Sequence, residues 1–265
     1  MKRLGDVGII GMGGLGEQLA KMLMLRPKIT VIGSVRNPIR RNDLIDKFGK
    51  AIYIKDTNKE VIEKADAIIL AVKPGQIKSV CLEIAEYVPV DMPIISVAAA
   101  IPLNKLEEWL PKSKMVIRCM PNIACSIGSG YAGYYSKSIS AENIMREIFG
   151  TNEIERMKND EQMDATTLIA GCGPAFFSWY IECLKKVGEN IISPEILNKM
   201  IISTMMGTGD MLERYTTNEI IRTVASPKGA TEAALTSLNT NQIDEKIQSA
   251  INIAQKRIET LAKTC

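Results

Sequence analysis

The sequence predicts an α/β chain, with a parallel sheet covered by helices on both faces and an all-helical C-terminal region after it. Three observations carry this. Short β-branched runs alternate with helical patterns over roughly the first 155 residues. The turn after the first run holds four glycines in six positions, Gly11, Gly13, Gly14 and Gly16. Strand-like runs disappear beyond about residue 160.

The expected strands are Val7–Ile10, Ile29–Ile32, Ala67–Val72, Pro93–Val97 and Val116–Ile117, each a short apolar run bounded by turn residues. Between them Glu17–Leu25, Asn42–Phe48, Gln76–Tyr87 and Leu103–Leu110 show helical spacing, and Ser140–Phe149 follows with Ser140 as its expected N-cap. Glu161–Gly188 reads as one long helix. Pro194–Arg214 is introduced by Ser193 at the N-cap position and Pro194 at the first helical position. Asn218–Thr223, Ala230–Leu238 and Ile243–Ala262 complete the series. The composition shift divides the chain into residues 1–158 and 159–265.

Composition removes several classes of function. The 265 residues are 46% hydrophobic and 24% charged, with 33 basic and 30 acidic side chains and a net charge of +3. That balance is no footprint for nucleic acid or a membrane surface, which need clustered basic residues. The six cysteines include no C-x-x-C pair, so reduced thiols are expected rather than a disulfide framework or a zinc site. Met1-Lys2-Arg3 leads into a run interrupted by Asp6, not into a long apolar segment, and a cytoplasmic protein is expected. Histidine is absent. Any catalysis must therefore use a cofactor, Lys, Tyr, Thr, Ser or carboxylates, or positioning alone.

Gly11-x-Gly13-x-x-Gly16 follows an expected strand and opens an expected helix, the context of a dinucleotide fingerprint in a Rossmann-like sheet. The first glycine makes the tight turn, the second admits the pyrophosphate, and the third lets helix and strand pack closely. Met12, Gly14 and Leu15 belong to the same turn. NAD-binding folds place an acidic residue about 20 residues further on, where it accepts from the ribose 2′-hydroxyl. Here that position is Arg36, with Ser34, Asn37, Arg40 and Arg41 around it. Guanidinium groups suit a 2′-phosphate, so NADP(H) is favoured, with NAD(H) also usable.

Five segments then resemble pyrroline-5-carboxylate reductases: GIIGMGGLG, TNKEVIEKADAIILAVKP, VIRCMPN, AGCGPAF and ASPKGAT. The last two lie in the helical region, where a generic dinucleotide fold has no need of them. The resemblance implies reduction of the cyclic imine Δ1-pyrroline-5-carboxylate to L-proline, the last step of proline biosynthesis. It implies a C-terminal dimerisation domain, with an active site between one subunit's nucleotide fold and helices that include the partner's, in a homodimer or a higher assembly of dimers. It places Asn58 and Ala71, Val72, Lys73 and Pro74 along the cofactor with the glycine turn, and includes Asn122. It assigns the cyclic imine carboxylate to Ser226, Lys228, Gly229, Ala230 and Thr231, with the Thr231 hydroxyl at the ring nitrogen or the carboxylate. A protonated cyclic imine is already electrophilic, so this chemistry suits a chain without histidine.

Plainer readings stand beside these. Thr231 can serve only the start of its helix, Lys73 can be a solvated loop lysine, and Asn122 can close a turn. Cys172 suits packing better than nucleophilic work. The chain also differs from the family pattern. The Ser-Pro-Gly-Gly-x-Thr loop carries Lys228 at its first glycine, SGSGPA has become AGCGPA at Ala170 and Cys172, and a MPNTPA-like turn reads MPNIAC. Paralogues associated with late competence have a similar CGPAF and an altered carboxylate loop. A repurposed, non-catalytic relative is thus the second reading. A β-hydroxyacid dehydrogenase would have a lysine shortly after GCGPA, where this chain has Phe176 and Phe177.

Overall fold

The computed structural model describes residues 3–150 and 152–264. Its N-terminal portion runs β1 (Asp6–Ile10), α1 (Gly14–Met24), β2 (Thr30–Ser34), α2 (Pro38–Phe48), β3 (Ile52–Lys55), α3 (Asn58–Ile62), β4 (Ala67–Leu70) and α4 (Pro74–Ile84). It continues through β5 (Ile94–Ser96), α5 (Leu103–Trp109), β6 (Val116–Pro121), β7 (Tyr131–Tyr135), α6 (Ala141–Phe149), β8 (Glu153–Arg156) and α7 (Asp160–Thr166). The remainder is α8 (Gly173–Gly188), α9 (Pro194–Leu212), α10 (Thr217–Val224), α11 (Ala230–Thr240) and α12 (Ile243–Thr264).

The sheet order is β3-β2-β1-β4-β5-β6-β7-β8. Strands β1 to β6 pair in parallel, β7 runs antiparallel to β6, and β8 is parallel to β7. Because the order reverses direction between β1 and β4, the loops leaving these strands open a crevice at their carboxyl ends. The strands are apolar on both faces. Val7, Ile9 and Ile69 join Leu19, Leu23 and Ile148 in one core layer, while Ile10, Ile68 and Leu70 join Ile77, Val80 and Leu106 in the other. Each such side chain contributes about 1.5–3 kcal/mol on burial.

Local sequence sets the helix starts. Asn37 caps α2 by accepting from the Arg40 N–H (3.1 Å), with Pro38 next to it. Thr216 and Glu219 form a capping box on α10. Ser140 and Ser193 occupy N-cap positions, but neither side chain makes a capping hydrogen bond. The long helix expected over Glu161–Gly188 is broken by a π turn at Thr167–Gly171, where the Cys172 N–H reaches back to the Thr167 carbonyl at 2.9 Å. Strands β3, β7 and β8 and the short α3 are additions to the sequence expectation.

Two compact units emerge. One comprises residues up to 174 with those from 255 onward, and the other comprises residues 175–254. Asp160–Gly171 thus lies in the sheet unit, whereas the composition shift suggested a division near 158. A buried arginine ties it there: Arg118 on β6, 2% exposed, meets Asp160 at 2.6 Å and Asp164 at 2.5 Å. The helical unit has little interior, since Ile201 is its one buried apolar side chain among the described residues. Phe177, Trp179, Val187 and Ile191 are among those it leaves exposed.

Glu17 fastens α1 to α2. It accepts from Lys47 at 2.6 Å, from Arg40, and from Lys21 one turn along α1 at 3.2 Å. The Lys47 hydrogen bond, with smaller help from Arg40 and Lys21 and against the cost of burial, holds its carboxyl at about 2 rather than the usual 4.5. A depressed carboxylate contributes stability above its unfolded value and loses it as pH falls toward its folded value. Melting temperature is therefore expected to drop between pH 4.5 and 2, and to drop less steeply in Glu17→Gln. Parallel pH profiles for the two proteins would refute this assignment.

Candidate functional site

The crevice beside β1 holds a cavity of about 250 Å³. Gly11, Met12 and Gly13 form one wall, Ser34, Arg36 and Asn37 a second, and Asn58, Ala71, Val72 and Lys73 a third. Ten of the residues expected at the cofactor therefore lie around one space. Ile10, Val35, Gln76 and Val80 also line it and were missed in the sequence. The first, second and fourth are apolar positions that read as core, and Gln76 sits one turn into α4, a step beyond the expected segment.

The glycine turn has the shape a pyrophosphate needs. Gly11 takes φ +97°, and a Cβ there would meet the Ala71 carbonyl carbon at 2.9 Å. A Cβ on Gly16 would lie 2.2 Å from the Gly11 carbonyl oxygen, so the helix can sit this close only as glycine. Gly13 and Gly14, by contrast, face open space within 4 Å. Gly13 is the N-cap of α1 and offers no side-chain acceptor, which leaves the first-turn N–H groups for an anion. A dinucleotide phosphate fits this cradle. Leu15 packs against the core, and Pro74 opens α4 immediately after the exposed Lys73.

At the other end of the cavity the polar side chains are joined. The Ser34 hydroxyl donates to Asn58 Oδ1 at 2.7 Å, and Asn58 Nδ2 donates to Glu83 at 2.8 Å. Arg36 Nη2 donates to the same carboxylate at 2.9 Å. Arg40 is held by Glu17 and by the Met12 carbonyl (3.3 Å), and Arg41 by Asp56.

Asn122 lies elsewhere. Its N–H donates to the Tyr131 carbonyl at 2.8 Å and its Oδ1 accepts from the Tyr131 N–H at 3.3 Å, so it closes the turn between β6 and β7. It borders a separate cavity of about 450 Å³ with Gln162, Thr166 and Ala170. Cys172 has its thiol pushed above the ordinary value by burial, which suits packing rather than nucleophilic attack.

The second group of expected residues, Ser226 to Thr231, is one loop of the helical unit. Gly229 is the N-cap of α11 and donates its N–H to the Ser226 carbonyl at 2.9 Å; Ala230 and Thr231 are the first two helical residues. Thr231 is half-buried, and its hydroxyl makes no hydrogen bond to the chain among the described residues, so it does not serve the helix start. Lys228 adopts φ +59°, the left-handed region, and its N–H donates to Glu232 at 2.6 Å. Strain there of about 1–2 kcal/mol is partly offset in a glycine variant by glycine's greater unfolded entropy. Lys228→Gly is therefore expected to stabilise the fold by roughly 0.5–1 kcal/mol, read from denaturant midpoints. A destabilised variant would show that the lysine side chain contributes contacts of its own.

Known proteins share this arrangement. A family model described as pyrroline-5-carboxylate reductase dimerisation matches residues 160–261, and one described as NADP oxidoreductase coenzyme F420-dependent matches residues 6–100. The pyrroline-5-carboxylate reductase of Pseudomonas aeruginosa is 30% identical, covering 97% of each chain. The chain belongs to the pyrroline-5-carboxylate reductase family. The Arabidopsis thaliana member is 29% identical over 97% of this chain and 96% of its own. The Plasmodium falciparum pyrroline carboxylate reductase, solved with NADP bound, superposes with a TM-score of 0.85 at 25% identity, covering 97% of this chain and 98% of that one. The family's dimerisation segment coincides with the helices that expose so much apolar surface.

Proposed function

We propose that this chain reduces Δ1-pyrroline-5-carboxylate to L-proline, using NADPH and accepting NADH. The observation that carries the reading is near-complete coverage by reductases of this name together with an intact glycine cradle at the head of α1. When bound, the reduced nicotinamide supplies the hydride. The chain's own groups do the rest. First-turn N–H groups of α1 hold phosphate, while Ala71 to Pro74 flank the cofactor beside Asn58. The first turn of α11, from Ala230 onward, would offer its N–H groups to the substrate carboxylate. The Thr231 hydroxyl would donate to the ring nitrogen of the neutral imine and, once that nitrogen is protonated, accept from its N–H, which holds the electrophilic carbon in place for reduction.

The chain works as a homodimer or a higher assembly of dimers, a reading supported by the dimerisation match and the exposed apolar helices. No helix among the described residues is long and apolar enough to cross a membrane. The five cysteines among the described residues are all unpaired, which supports a reducing compartment, and with it the cytoplasm.

The test is loss of nicotinamide absorbance with purified protein and Δ1-pyrroline-5-carboxylate, with NADPH and NADH in parallel. Turnover establishes the reductase. Lys228, in place of a glycine beside the carboxylate loop, is the feature that favours the second reading. Nucleotide binding without turnover would select that repurposed relative.

A further inference from the structure

We propose that Glu83, on α4 and outside the glycine fingerprint, sets the balance between NADPH and NADH by occupying the guanidinium that a 2′-phosphate needs. The inference rests on the dinucleotide reading of the cavity and adds a residue to it. Three arginines follow β2, but two are committed: Arg40 to Glu17 and the Met12 carbonyl, Arg41 to Asp56. Arg36 is the arginine that lines the cavity, and Glu83 already neutralises it at 2.9 Å. The other oxygen of the same carboxylate receives Asn58 at 2.8 Å, and Asn58 is fixed by Ser34. A carboxylate thus stands next to two lining residues, Arg36 and Asn58, although the chain has none at the end of β2, where NAD-binding folds place it.

The two cofactors meet this carboxylate differently. A ribose with a free 2′-hydroxyl leaves the Arg36–Glu83 pair intact. A 2′-phosphate competes for the guanidinium with a stronger, bidentate, charge-assisted contact and displaces Glu83, which then faces a second anion. Displacement is feasible because the pair is exposed, with side chains 67% and 44% accessible. Such pairs are weak and salt-screened. Glu83 therefore penalises NADPH selectively and keeps NADH competitive.

The experiment is calorimetric titration of NADPH and of NADH into the wild-type protein, Glu83→Gln, Arg36→Met and the double variant. Glutamine retains an acceptor for Asn58 while removing the charge; Glu83→Ala serves in its place if that variant fails to fold. Glu83→Gln is expected to tighten NADPH about threefold to fivefold, with NADH changed less than about twofold. In the Arg36→Met background the NADPH gain should vanish, because the two residues act as a coupled pair. Equal shifts for both cofactors, or weaker NADPH binding, would overturn the role of Glu83 and leave the reductase standing. Failure of the wild type to bind either nucleotide would overturn both.

Discussion

Gly16→Ala is expected to weaken NADPH binding about a hundredfold, equivalent to about 2.7 kcal/mol. The new methyl would meet the Gly11 carbonyl oxygen at 2.2 Å and its carbon at 3.1 Å. Backbone cannot swing aside as a side-chain tip does. Gly11 is further pinned by its N–H to the Ser34 carbonyl at 3.2 Å, a contact Met12 shares, so relief must come from α1 lifting away from the sheet. Overpacking of this kind costs about 1–3 kcal/mol in stability. The lifted helix would also carry its first-turn N–H groups away from the phosphate. Calorimetry and thermal melting measure the two parts. Gly14→Ala is the control, since its Cβ would enter open space, and its fold should melt as the wild type does. Unaltered NADPH affinity in Gly16→Ala would refute the packing argument.

Thr231→Ala is expected to lower kcat/KM for the imine about a hundredfold, within the range found for a positioned proton donor, while leaving the NADPH Kd unchanged. The hydroxyl is free of chain partners, so its removal leaves no orphaned group behind in the fold. Stability should accordingly hold, which separates a chemical role from a structural one. Thr231→Ser should recover most of the activity, because the hydroxyl and not the methyl does the work. Wild-type turnover in Thr231→Ala would move the donor elsewhere.

The parallel sheet was readable because its strands are buried on both faces and therefore appear as unbroken apolar runs. Two of the strands that escaped, β7 and β8, lack such runs, and the third, β3, is a four-residue edge strand with Tyr53 exposed. Glu153-Ile154-Glu155-Arg156 makes β8 with charged, exposed positions, and Tyr131 to Tyr135 makes β7 from aromatic and small residues. The π turn was signalled by Gly171 and Gly173, but helical periodicity on either side masked the extra residue. The cofactor side of the site was legible because glycine spacing records backbone geometry directly. Asn122 closes a turn and borders a second cavity, and a turn asparagine and a binding asparagine have the same local sequence. Glu83 was invisible for another reason: its partners are 47 and 25 residues away, and only the crossover of α4 brings them together. Arg118, paired with Asp160 and Asp164 across more than 40 residues, escaped in the same way.

The helical unit, with Ile201 as its single buried apolar side chain among the described residues, has no oil drop of its own. Its free energy of folding must then be drawn largely from a second copy, and such a quantity is set by molarity as much as by sequence. Dilution is therefore expected to act on this protein as a denaturant does. Specific activity is then expected to fall as the protein is diluted, and a flat profile down to the lowest assayable concentration would show that the helices hold without exchange of partners.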